Sequence, residues 1–187
     1  DKAQTLASAL TALNAPSLHA DQVIVSVPGL HFATHTFGLP FTDPKRIDAT
    51  LPFEVEGQLP FDISEAVFDY QVATADEKSS QLLVGVVKKT ELELLLAALK
   101  EAKLEPRIVT HPGLAYQNLI AALPSKMLPG AANAPIAFLD IGHERTTLAI
   151  GRPNGNIEFT RTIAGGGLSL SKALAAEFKV SLAEATD

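Results

Sequence analysis

Residues 138–150 read Phe138-Leu139-Asp140-Ile141-Gly142-His143-Glu144-Arg145-Thr146-Thr147-Leu148-Ala149-Ile150, an apolar strand that breaks at an Asp-x-Gly turn and resumes as a second apolar strand. A turn of this kind gathers backbone N–H groups, hydroxyls and a carboxylate at one hairpin tip, which suits a phosphate and its magnesium ion. Gly142 admits a left-handed backbone angle and a close approach without a Cβ. Asp140 is the candidate magnesium ligand, directly or through water, and Thr146 and Thr147 are candidate hydroxyl donors. Asp-x-Gly is also common in ordinary turns, so its surroundings have to decide between the two readings.

Downstream come Asn156-Ile157-Glu158-Phe159-Thr160-Arg161-Thr162-Ile163, then Gly165-Gly166-Gly167, then a periodic apolar run with Leu170, Leu174, Phe178 and Leu182. Strand, turn, strand, strand, glycines and helix follow one another in the order of the second lobe of the superfamily of actin, the heat-shock chaperones and the sugar kinases. Within it, the Asp-Ile-Gly turn, the Arg-Thr-Ile strand and the Gly-Gly helix entrance most closely resemble PilM and the cytoplasmic part of GspL. The resemblance places Gly166 and Gly167 at the family's two glycine positions near the nucleotide. Taken alone, such glycines merely let a strand turn tightly into a helix.

The resemblance continues upstream. Asp43-Pro44-Lys45-Arg46-Ile47 opens a run through Leu51, Phe53, Glu54 and Val55 to Gly57-Gln58-Leu59-Pro60-Phe61, followed by Phe68-Asp69-Tyr70-Gln71-Val72. The PilM family has a helix, a Pro-Phe segment and an Asp-Tyr-Gln strand in the same order. The implied fold is α/β, the actin-like (ribonuclease H-like) ATPase fold with a small inserted subdomain of the FtsA and PilM type. The implied division is 1–30 in the first lobe, 31–110 as the inserted α+β subdomain, 111–130 returning to the first lobe, and 131–187 opening the second. The first phosphate loop and the end of the second lobe would fall outside the chain, which therefore reads as a piece of a longer protein.

The 187 residues carry 47% hydrophobic and 19% charged side chains, enough for one or two cores and inconsistent with disorder. A formal charge of −6 and no Lys/Arg-rich run argue against nucleic acid or an anionic membrane surface as the main partner. With no cysteine, disulfides and thiolate metal sites are excluded. No apolar run approaches the roughly 20 residues that span a bilayer, and nothing resembles a signal peptide.

Along the chain, Leu6, Leu10 and Leu13 predict a first helix closed by Asn14-Ala15-Pro16, and residues 22–27 a buried strand. The alternation from His31 to Gly38 predicts a two-faced strand. Asp43 is a good cap and Pro44 suits the first helical position, but Pro52 should kink or split that helix. Residues 66–72 and 81–87 predict a hairpin around the polar loop 75–79. Leu92, Leu95, Leu96 and Leu99 predict a helix capped by Thr90, and residues 106–110 a strand leading through Pro112-Gly113 into another helix. Pro124 to Pro135, without a pattern of its own, is the candidate lobe junction.

The five histidines are scattered. His31 and His35 on one strand face would stand about 13 Å apart, too far to share a metal, so each histidine reads as surface or lightly packed. Ser26 and Ser64 lack a nucleophile elbow. Phe37, Leu39 and Phe41 read as core. His143, Glu144 and Arg145 stand where family members with a well-formed phosphate loop have small residues, and Glu144 would repel a phosphate unless turned away.

The resemblance implies a scaffold on the cytoplasmic face of a bacterial inner membrane, in a type IV pilus or type II secretion platform. Its partners would be a PilN-like membrane protein, through an N-terminal peptide, and a motor ATPase of the GspE or PilB type; a homo-oligomer is compatible. The implied cofactor is ATP with magnesium, and catalysis is at most a weak ATPase activity. The peptide surface is expected near strand 31–39 and the helix after Asp43. The rival readings are an actin-fold ATPase or small-molecule kinase, and an FtsA-like division protein.

Overall fold

The structure, a computed structural model, describes residues 2–13, 21–123, 134–153 and 156–186. The chain divides into two compact units, Asp1–Pro112 and Gly113–Asp187. Most of the expected junction at 124–135, the closing residues Asn14-Ala15-Pro16 of the first helix, and His19 lie outside the described residues.

The first unit opens with helix α1 (Lys2–Leu13), which packs on α3 (Lys89–Glu101). Strands β1 (Val23–Ser26) and β5 (Pro106–Thr110) pair in parallel, and the intervening segment supplies the rest of the unit. β1 was expected to be buried throughout. With β5 as its neighbour in a two-stranded sheet, it alternates instead, and Ile24 stands 60% exposed.

Between them, β2 (Phe32–Leu39), β3 (Ala66–Ala75) and β4 (Ser80–Lys88) form an antiparallel sheet ordered β2-β4-β3. Period-2 alternation puts Phe37, Leu39, Leu82, Val84 and Val86 on one face, where Ile47, Leu51 and Val55 of α2 (Pro44–Glu56) close the core. Phe37 and Leu39 are core as expected, and Phe41 packs against it partly buried. The other face of β4 brings Val87 to Leu95 and Leu99 of α3, with Phe32 and Leu10 alongside.

α2 starts as its sequence dictates: the Asp43 carboxylate accepts from Arg46 N at 2.9 Å, and Pro44 occupies the first turn. It does not split at Pro52, contrary to expectation. The lost backbone bond costs about 3 kcal/mol, but Leu51 and Val55 on either side are fully buried, and burial of three apolar side chains outweighs it. Asp76 holds the β3–β4 loop by accepting from Lys78 N, Ser79 N and the Ser79 hydroxyl. Thr90 does not cap α3: β4 runs directly into the helix, Lys88 takes the cap position and Thr90 falls inside.

In the second unit, α4 (Pro112–Ala122) is followed by an antiparallel sheet of β6 (Ile136–Ile141), β7 (Arg145–Gly151) and β8 (Ile157–Ala164), and then α5 (Gly167–Phe178). α5 stops earlier than its apolar period suggested. Lys179 adopts a left-handed conformation, φ 55°, its N–H returning to Ala175 O, so Leu182 lies beyond the helix.

Candidate functional site

The Asp-x-Gly turn joins β6 to β7, and the register pairs Asp140 with Thr147 and Ile141 with Thr146. Neighbouring strand residues point to opposite faces, so the threonines diverge. Phe138, Asp140 and Thr147 share the face on which Tyr116 of α4 lies. Tyr116 stacks on Phe138, ring centroids 5.6 Å apart, and its hydroxyl donates to Asp140 Oδ2 at 2.9 Å. Burial, then the Asp140 carboxylate, pushes the Tyr116 phenol up to about 12. Beside them Thr147 is 5% exposed, its hydroxyl 3.3 Å from that of Thr162 on β8.

Thr146 belongs to a second group. Its hydroxyl donates to Gly165 O at 2.8 Å. There the glycine segment folds back over the turn: Gly165 N donates to Glu144 O, Gly167 N to Gly142 O and Leu168 N to His143 O, at 3.0, 2.9 and 2.8 Å. The turn closes on itself through Gly142 N to Arg145 O, at 2.9 Å. Gly166 is indispensable to this approach, since a Cβ there would stand 2.2 Å from Gly142 O and 2.8 Å from His143 O. Gly165, at φ +150°, turns β8 into α5.

The six sequence-selected residues thus lie around one hairpin but divide into two sets, Asp140 with Thr147 and Gly142 with Thr146, Gly166 and Gly167. Sequence reasoning overlooked Tyr116 and Thr162 and named Gly165 only within the glycine run. Gly165 was legible as part of the glycine run. Tyr116 gave no such signal, because its partner is 24 residues away in the sequence.

His111 was expected at the surface or lightly packed and is instead 1% exposed, its ring stacked on Phe32 at 4.6 Å. Burial pushes its pKa down to about 4. A structural reason explains the difference: His111 directly follows β5 and is stacked against Phe32 at the start of β2, whose ring points its tip at Gly85, where a Cβ would stand 2.2 Å from the ring's para carbon. His31 is not on a strand with His35; it lies in a short 3₁₀ turn, 3.2 Å from Glu91. Among the described residues no group of three His, Cys, Asp or Glu could hold a metal ion, and no helix is long and apolar enough to cross a membrane.

A hairpin followed by a third strand and a glycine-led helix, preceded by an α/β unit that carries a small inserted sheet, is the actin-like arrangement that the sequence implied. Residues 6–187 match the family model of the type IV pilus assembly protein PilM, and the chain belongs to that family. Among solved structures it is similar to the PilM–PilN type IV pilus biogenesis complex, at 22% identity and a TM-score of 0.77 over 97% of this chain and 54% of that one. It is also similar to the cytoplasmic domain of EpsL, an inner membrane component of the type II secretion system of Vibrio cholerae. That match has 14% identity and a TM-score of 0.54, over 96% of this chain and 63% of the other. The chain therefore spans between half and two thirds of these structures.

Proposed function

We propose that this chain is part of a scaffold in a type IV pilus or type II secretion platform, held at the cytoplasmic face of the inner membrane by capturing a peptide of a PilN-like partner. One observation in particular supports the reading: the sheet of the inserted subdomain has β2 at its edge, paired with β4 alone among the described strands. The two edges of this sheet are not equivalent. β3 carries a register shift between Val72 and Thr74 and an Asp at position 69, devices that blunt an edge. β2 runs in unbroken register from Phe32 to Leu39 with no Asp, Glu, Lys or Arg. Such an edge suits an extended peptide added as a further strand, with main-chain bonds giving affinity and alternate side chains giving selectivity. The solved PilM–PilN complex is the reason for choosing a PilN-like peptide. A link from the scaffold to a motor ATPase of the GspE or PilB type completes the proposal, which requires no nucleotide.

The test is calorimetric titration of the full-length protein with the N-terminal peptide of its membrane partner, and with peptides N-methylated at alternate residues. Strand addition predicts that one phase of methylation abolishes binding and the other is tolerated, because successive N–H groups point to opposite edges of the added strand. Equal binding by both methylated peptides, or none by the parent, would remove the proposal.

A further inference from the structure

We infer that Tyr116 is a positioning residue for a magnesium ion carried by a nucleotide phosphate: its hydroxyl fixes one oxygen of the Asp140 carboxylate and leaves the other to hold the ion, directly or through water. The inference goes beyond peptide capture at β2 and does not rest on it.

The hairpin tip has what such an ion and its phosphate require. Among the described residues, the amides of His143, Glu144 and Gly166 have no partner, so N–H donors remain there for an anion. Asp140 is exposed and shares its face with Thr147. Glu144 and Arg145, both exposed, add no net charge to the tip. Among the described residues no three acidic or histidine side chains gather. That is no obstacle for magnesium, which keeps several waters and takes one or two carboxylates beside the phosphate oxygens.

A single exposed carboxylate lacks a fixed direction, and Tyr116 supplies it. The hydroxyl donates to Oδ2 at 2.9 Å, while Oδ1 accepts from none of the described residues. The phenol is itself held in place. Its ring stacks on Phe138, two residues before Asp140 on the same face, with an interplanar angle of 15°. Its helix is tied to the sheet by Gln117 Nε2, which donates to Asn156 Oδ1 at 2.7 Å, and by Ile120, 2% exposed. A phenylalanine would make the same stack; only the hydroxyl reaches the carboxylate. Ligating carboxylates are commonly hydrogen-bonded in this way, and loss of such a partner lowers metal affinity by about 10–100-fold.

The test is titration of the full-length protein with ATP, once in excess magnesium and once in excess chelator. Magnesium should tighten ATP binding in the unsubstituted protein. Tyr116→Phe, which keeps the ring stack, should weaken binding by about tenfold or more with magnesium and leave it unchanged without. In an Asp140→Asn background, Tyr116→Phe should cost nothing further, since the hydroxyl acts only through that carboxylate. Three results would overturn the inference: ATP binding that magnesium does not tighten, an equal loss in Tyr116→Phe with and without magnesium, or the same loss in the Asp140→Asn background. Peptide capture at β2 is read in a separate titration, so either conclusion can fail alone.

Discussion

Replacing Gly166 by alanine adds one methyl group at the point where the second unit is most tightly closed. The new Cβ would lie 2.2 Å from Gly142 O and 2.8 Å from His143 O, both backbone atoms with no rotamer to yield. Gly166 has φ −162°, open to any residue, so contact and not backbone strain sets the cost. Relief requires the helix to lift off the turn, which breaks Gly167 N to Gly142 O and Leu168 N to His143 O. Two such bonds are worth about 2 kcal/mol and forced overpacking adds about 1–3, giving about 3–5 kcal/mol in all. The assay follows from the composition: there is no tryptophan and there are two tyrosines, Tyr70 in the first unit and Tyr116 in the second. In a Tyr70→Phe background, urea unfolding followed by tyrosine emission reports on the second unit. A loss below about 1 kcal/mol would mean that the turn and helix are not in contact as described.

Two further predictions concern titration. His111 sits at about 4 in the folded chain, below its ordinary 6.5, so the unfolded chain binds more protons between those values and stability falls as pH drops through that window. The loss should be on the order of 3 kcal/mol by pH 4, and denaturant midpoints for the first unit should lose most of this slope in His111→Phe; a slope unchanged in that variant would refute the assignment. The Tyr116 phenol, raised to about 12, contributes stability that is complete below its ordinary 10 and lost as pH rises through 12. Absorbance titration should show that late transition moving down in Asp140→Asn, and no movement would separate Tyr116 from Asp140.

Much of the architecture was legible in the sequence because local signals and long-range burial agree. Asp43-Pro44 starts α2, alternation marks β2, β-rich runs around a polar loop mark β3 and β4, and the apolar segments either side of Asp140-Ile141-Gly142 form the hairpin. Where local preference and tertiary packing conflict, packing prevailed. Pro52 is carried through α2 by the burial of Leu51 and Val55, and Thr90 yields its cap position because β4 leaves no gap before α3.

What the sequence determined by itself, then, was the order of elements and the residues gathered around one turn, since hydrophobic period, caps and glycines act within a few positions of the chain. Tertiary structure alone decided what those residues do. Tyr116 meets Asp140, His111 stacks under Phe32, and the amides of Gly167 and Leu168 turn to the carbonyls of Gly142 and His143. Each is a pairing between segments distant in sequence. Hydrogen-bond commitment depends on which partner folding brings within 3 Å, and composition and spacing carry no record of that.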